Sequence, residues 1–175
     1  MKKSAGKISN CLFCSFFIYC ASLALTHLIG EYRFNLSRSI DLHKISTAHT
    51  NEAAIAGTTT GLINLNETVT WQATHFGIKQ QLTSKITAFN QPFYFRDEQV
   101  KGIFKSIYHE HIFEQVGNKT IMTDVFKFQS PFGILGQLFN QLVLTNYLCK
   151  LLVNRNNIIK DFAETDKWKL ILQVQ

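Results

Sequence analysis

Proline is nearly absent: two residues, Pro92 and Pro131, in a chain of 175. Together with only nine glycines this excludes a collagen-like or linker-rich chain. Charged residues make up 17% against 46% hydrophobic ones, which excludes intrinsic disorder and leaves enough apolar material for one core. Basic clusters are lacking too. The net charge is +6, but Lys2, Lys3 and Lys7 carry half of it and Lys79, Lys85, Lys101 and Lys105 stand singly. No basic face or nucleic-acid module is present, so no nucleic-acid partner is expected. Cysteine is scarce beyond the first twenty residues. From Glu31 onward only Cys149 remains, so this body forms no internal disulfide, as suits a reducing compartment or indifference to one. Cys11 and Cys14 spell C-x-x-C, but they sit in an apolar run rather than after a strand, so they read as small apolar residues. Also missing are a nucleophile elbow, a phosphate-binding loop, a dinucleotide fingerprint and a zinc-protease helix.

What is abundant is phenylalanine, fifteen residues against five Tyr and two Trp. Rings in that number either fill a bulky core or line an apolar cavity.

Ile8 to Gly30 carries no formal charge and follows three lysines. Two readings stay open for this run. It is a secretory signal or membrane anchor, with basic, apolar and small-residue parts in order. Or Ser22–Ile29 is a strand, and residues 1–21 are an extension ahead of it. The expected domain spans residues 22–166, with a tail at 167–175.

Beyond it the pattern is of strands, then one long helix. Ser37, Ser39 and Asp41 suit the starts of short helices around Ile40, Leu42 and Ile45. A β-favouring run broken by glycine follows at Ala53–Gly61. Glu67–Phe76 alternates, with Val69, Trp71, Ala73 and His75 on one face. Lys79–Ala88 alternates again, with Leu82, Ser84, Ile86 and Ala88 together. Phe93–Phe95 is a short aromatic strand. Ile103–Val116 and Lys119–Gln129 flank Gly117–Asn118, a hairpin signal. After Pro131 the period changes. Leu135, Leu138, Leu142, Leu148, Leu151, Leu152, Ile159 and Phe162 recur at three and four, as in an amphipathic helix, with a kink expected at Asn154–Asn157.

Ordered pieces of this chain resemble a known group. They are Phe34–His43 with Ser46–Thr47, Ala56-Gly57, Gly61-Leu-Ile63, Thr70-Trp71, His75-Phe-Gly77, Asp97-Glu98, His109-Glu-His111 with Phe113, Asp124, Phe128 and Pro131-Phe-Gly133. Together they resemble the START-like superfamily, in the SRPBCC group labelled polyketide cyclase, coenzyme-Q-binding or cell division inhibitor proteins. The resemblance covers Phe34 to Glu164. It implies an α+β helix-grip fold: a curved seven-stranded antiparallel sheet around a long C-terminal helix, two short helices after the first strand, and an apolar cavity between. The first strand is then expected at Ser22–Ile29.

Alternation aims particular side chains at that cavity. His109 and His111 share a face with Ile107 and Phe113, and Asp124 sits among Met122, Phe126 and Phe128. A carboxylate among rings costs several kcal/mol unless it is paired, so Asp124 is expected to be buried and bonded to His109 or His111. The candidate ligand-binding residues are Trp71, His75, His109, His111, Phe113, Asp124, Phe126 and Phe128. His43, ending the second short helix, reads as a simple cap or as a cover for the cavity mouth. No catalytic residue is assigned. No cofactor or metal is expected, because the one metal reading, His75 with His109 and His111, has weaker support than structural hydrogen bonding.

The expected function is non-enzymatic binding of an apolar small molecule, a lipid, quinone or similar, as carrier or sensor in the cytoplasm. Two rivals remain: a cyclase, dehydratase or hydrolase using the same His and Asp, and a regulatory protein acting through a protein partner. Membrane contact is expected only through residues 8–30, with export or anchoring as the alternative location. The sequence leaves oligomeric state open.

Overall fold

The computed structural model describes residues 16–25, 29–117, 119–131 and 143–172. Its elements run in the order β1 (Phe16–Leu25), α1 (Ile29–Ser37), α2 (Ile40–Ser46), a 3-10 turn (Ala48–Thr50), β2 (Ala53–Gly57), β3 (Thr68–His75), β4 (Ile78–Asn90), β5 (Tyr94–Lys101), β6 (Ser106–Val116), β7 (Lys119–Gln129), α3 (Thr145–Glu164) and α4 (Trp168–Ile171). The strands form one antiparallel sheet in the order β1-β7-β6-β5-β4-β3-β2. Helix α3 lies across β1 and against α1 and α2. This is the expected helix-grip architecture, with two short helices after the first strand.

Alternation explains which faces turn inward. On β3 Val69, Trp71 and Ala73 are buried, and on β6 Ile107, His109, His111 and Phe113 are. A register shift between Ile86 and Ala88 on β4 breaks the simple pattern. Phe89, rather than the expected Ala88, packs on the core beyond it, opposite Phe95. At the far edge Gly57 closes β2 with φ +74°, and a Cβ there would meet the Thr68 carbonyl oxygen at 2.1 Å.

Four expectations need correction. The first strand is Phe16–Leu25, not Ser22–Ile29. Its register runs from Phe16 opposite Phe128 to Leu25 opposite Lys119, so it covers nearly the whole edge of β7. A start at Ser22 would leave half of that edge unpaired. Ile29 belongs to α1 instead, and the extension drawn as residues 1–21 contains half of a strand. Second, Asn154–Asn157 is no kink: α3 runs unbroken through it, because these polar side chains find partners across the fold. Third, the 167–175 tail is part of the domain up to Leu172. Trp168 stacks on Tyr32 at 4.5 Å, and Leu172 is buried in the main core. Fourth, the strand drawn at Phe93–Phe95 runs from Tyr94 to Lys101. The expected start of the long helix, residues 132–142, lies outside the described residues, as does the expected signal or anchor segment up to residue 15. Among the described residues no helix is long and apolar enough to cross a membrane.

The short helices are locally encoded. Ser39 caps α2 by accepting from the Leu42 amide at 3.2 Å. Phe34 and Leu36 of α1, with Ile40 and Leu42 of α2, then enter the main core beside Phe95, Phe113 and Met122. Phe34 meets Phe89, Phe95 and Phe113 edge-on, with ring centroids 5.2–5.5 Å apart. A second, smaller core gathers Ile107, Phe128 and Leu144. Much of the phenylalanine is therefore spent on packing rings into two cores.

Candidate functional site

Between the two cores the sheet and α3 enclose a cavity of about 200 Å³. Its middle is apolar, lined by Ile63, Val69, Trp71, Ile86, Ile107, Phe126 and by Leu148, Leu151 and Leu152 of α3. Ionisable groups gather at two ends, and Ser84 and Gln99 also line it.

The inner end is built by β5, β6, β7 and α3. Cross-strand register sets Asp97 opposite His109, and His111 opposite Asp124. The side chains close a ring. Asp124 Oδ1 lies 3.1 Å from His109 Nε2 and 2.6 Å from His111 Nδ1. Asp97 Oδ2 lies 3.2 Å from His111 Nε2 and 3.6 Å from His109 Nδ1. From α3 the Asn156 amide donates to Asp124 Oδ2 at 2.6 Å. Arg155 Nη1 lies 3.9 Å from Asp124, while its Nη2 donates to the Ser37 carbonyl at 2.6 Å. Asp124 has no exposed surface. Burial opposes its charge, but His111 and His109 outweigh that and hold its carboxyl well below the usual carboxylate range. Asp97 is lowered as well, against burial, by the His111 hydrogen bond and the His109, His111 and Arg155 charges. The two imidazoles diverge. Burial and the neighbouring His111 push His109 down, so it prefers to be neutral. For His111 burial acts downward, yet Asp124 and the bond to Asp97 win and raise it. The same geometry gives one imidazole that resists charge and one that bridges two carboxylates.

The outer end is built by α2, β3 and the start of α3. His43 stacks on Trp71 with centroids 4.1 Å apart and bonds Glu52 at 3.1 Å. His75 and Tyr147 are hydrogen-bonded at 2.8 Å. Burial lowers His75, with Glu52 partly offsetting it, and raises Tyr147. Glu52 is lowered despite burial, by its bond to His43 and the His43 and His75 charges.

Of the residues singled out from the sequence, Trp71, His75, His109, His111 and Phe126 line the cavity. Asp124 lies behind it, beneath His109 and His111. Phe113 and Phe128 do not line it. Phe113 is 3% exposed against Phe34 and Phe95, and Phe128 1% exposed against Ile107 and Phe104. Each points inward as expected, but a neighbouring ring already occupies the space in front of it. His75 is held by Tyr147 at the other end from His109 and His111.

Sequence reasoning missed Asp97, Arg155, Asn156, Glu52 and Tyr147. Three had a readable signal. The apolar stripe of α3, taken at three and four from Leu148 through Leu151 and Leu152, lands on Arg155 and Asn156 before reaching Ile159 and Ala163. Polar residues inside a buried stripe require buried partners. Asp97, two residues after Phe95, shares its face once β5 is extended.

No family model matches the sequence, and no curated protein matches it. The structure is similar to solved ones. A Thermus thermophilus protein, TTHA0849, has a TM-score of 0.63 at 14% identity, over 83% of this chain and 97% of that one. Ginseng major latex-like protein 151 from Panax ginseng has a TM-score of 0.61 at 15% identity, over 86% and 98%. Protein Ms6760 from Mycobacterium smegmatis has a TM-score of 0.59 at 15% identity, over 90% and 96%. At such identities the likeness speaks to fold. The chain has the helix-grip fold of these solved structures.

Proposed function

We propose that this protein binds an apolar small molecule in the cavity between sheet and α3, as a carrier or sensor and without chemical turnover. The observation that carries the reading is the cavity itself: about 200 Å³, with a run of apolar side chains from sheet and α3 along its wall. Proteins with this fold class commonly bind small hydrophobic ligands. A dry, ring-lined void favours transfer of apolar surface from water at about 25 cal/mol per Å². Volume limits the occupant. An apolar cavity of about 150 Å³ holds benzene, so this one suits a single substituted ring or a short branched chain. A quinone fits by its ring and a lipid by one end. A polar substituent is met by His43 and His75 at one end or by His109 and Asp97 at the other.

Native mass spectrometry of the purified full chain tests the reading. A co-purifying apolar adduct of low mass is expected. An empty protein that also fails to bind 2-naphthol, at a dissociation constant of about 1 mM or tighter, would overturn it.

One observation favours the enzyme reading. His109 is buried, prefers to be neutral, and faces the cavity with Asp124 orienting its ring, as a general base requires. Conversion of the co-purified molecule, abolished by His109→Gln, would replace the carrier by an acid–base enzyme.

A further inference from the structure

Asp97, His109 and His111 present donor atoms to one point on the cavity wall. Asp97 Oδ2 lies 3.2 Å from His111 Nε2 and 3.6 Å from His109 Nδ1, and the three candidate ligand atoms all lie within 4.8 Å of one another. First-row divalent ions bind imidazole nitrogen and carboxylate oxygen at about 2.0–2.2 Å, so ligand atoms separated by about 3–3.6 Å share an ion with little rearrangement.

The nitrogens facing away from that point are equally ordered. Asp124 Oδ1 sits against His109 Nε2 and His111 Nδ1. His109 Nε2 is hydrogen-bonded to Asp124, and because a carboxylate oxygen accepts and does not donate, that nitrogen carries the His109 hydrogen, whereas His111 Nδ1 lies close to Asp124 without a hydrogen bond. That leaves His109 Nδ1 bare toward Asp97, while His111 Nε2 is hydrogen-bonded to Asp97 and must give up that hydrogen to ligate. A carboxylate behind a ligating imidazole is the arrangement that fixes tautomer and ring angle at metal sites. Arg155 and the Asn156 amide lie on the Asp124 side. The Asn156 amide serves Asp124, while the Arg155 charge acts on Asp97 as well as on Asp124. Asp97, His109 and His111 all line the cavity, and among the described residues no further His, Cys, Asp or Glu joins the group.

We propose that Asp97, His109 and His111 bind one divalent first-row transition-metal ion, with Asp124 as the positioning carboxylate behind both imidazoles and the remaining coordination positions open to the cavity. Two imidazoles and one carboxylate suit Fe²⁺, Mn²⁺, Co²⁺ or Zn²⁺. Ca²⁺ and Mg²⁺ prefer all-oxygen sites. The ion takes the place of the hydrogen otherwise held between His111 Nε2 and Asp97. Three protein ligands with open positions make a site for binding a ligand oxygen rather than a closed structural site.

The proposal stands apart from apolar-ligand binding and is tested without any organic ligand. Chelator-treated full chain is titrated with Co²⁺ and followed by visible d–d absorption, with Zn²⁺ calorimetry for stoichiometry. One equivalent is expected, with a dissociation constant of about 10 µM or tighter. Asp97→Asn and His109→Gln should each weaken it by about a hundredfold or more, and Asp124→Asn by about 10–100-fold. His49→Gln, on the exposed 3-10 turn outside the cavity lining, should bind as the wild type does. Far-UV circular dichroism without metal checks that each variant is folded, and Asp97→Asn keeps the shape of the side chain. Absence of d–d bands in the wild type at one equivalent overturns the proposal, whatever the variants do. So does equal affinity in wild type and Asp97→Asn, and so does a spectrum dominated by near-ultraviolet thiolate charge transfer, which would assign the ion to cysteine.

Discussion

At the inner end of the cavity Asp97, His109, His111, Asp124, Arg155 and Asn156 come from three strands and a helix, and every ionised group has a compensating partner within 4 Å. At the outer end His43, Glu52, His75 and Tyr147 are joined by single bonds, and the His43 and Glu52 side chains remain 26% and 13% exposed. Charge taken fully out of water must be matched inside, so the inner cluster holds the fold as well as shaping the site. The outer pairs can exchange a partner for water at small cost. Substitutions at the inner end therefore strike stability and binding together, whereas those at the outer end strike binding alone.

The sharpest way to break that contrast is Asp124→Ala. It leaves His109, His111 and Asn156 facing a void, and Arg155 loses its nearest carboxylate. Urea denaturation should show a loss of about 3–5 kcal/mol. A loss under about 1 kcal/mol would make the inner end no different from the outer.

Two rings on β7 and β6 sharpen the line between cavity and core. Phe113→Ala, in the packed core, should cost about 3–4 kcal/mol and leave the affinity for a cavity ligand unchanged in the protein that remains folded. Phe126→Ala enlarges a space that already exists, and should cost about 1–2 kcal/mol while altering ligand affinity. Thermal melts with 2-naphthol titrations read both.

Acid separates the ends by charge. The Asp124 and Asp97 carboxyls are held below their ordinary value of 3.8 in the folded protein. Their contribution is present above that value and is lost as pH falls through the folded values. His109, lowered from 6.5, adds a loss as pH falls below 6.5, because the unfolded chain binds the proton first. His111, raised from 6.5, contributes fully below 6.5 and loses its contribution as pH rises through its folded value. Denaturation midpoints should therefore drop on the acid side, and Asp124→Asn should flatten that drop below about pH 4. An unchanged slope would mean Asp124 is not the ionised centre.

The smallest effect belongs to the outer end. His43→Ala should cost about 1 kcal/mol or less, and should shift the emission of Trp71, whose indole it stacks on.

The strands were legible because β3, β6 and β7 each have one buried face, and alternation reports that directly. The inner triangle of His109, His111 and Asp124 was legible for the same reason: polar residues among Ile107, Phe113, Met122 and Phe126 have to meet across neighbouring strands. Asp97 was missed because β5 reads as a polar run, Arg96 to Gln99, after one aromatic pair. Arg155 and Asn156 were missed because a cluster of Asn and Arg in a helix looks like a breaker until its place on the buried stripe is counted. The first strand was displaced by six residues because an uncharged run gives no alternation to fix its register. Register there is set by the edge of β7, which is a long-range fact. The cavity's extent was illegible for a related reason. Phe113, Phe126 and Phe128 alternate alike, and only the rings opposite decide which of them face empty space.

The central claim is that the space between sheet and α3 takes an apolar molecule. Calorimetric titration of the full chain and of Leu151→Trp with 2-naphthol tests it most directly, because Leu151 lines the cavity from α3 and an indole there fills it. The account predicts one site in the wild type with a negative heat-capacity change. It predicts a loss of about tenfold or more in Leu151→Trp, with the melting temperature kept within a few degrees. Equal binding by both proteins would place the molecule on the surface and contradict the account.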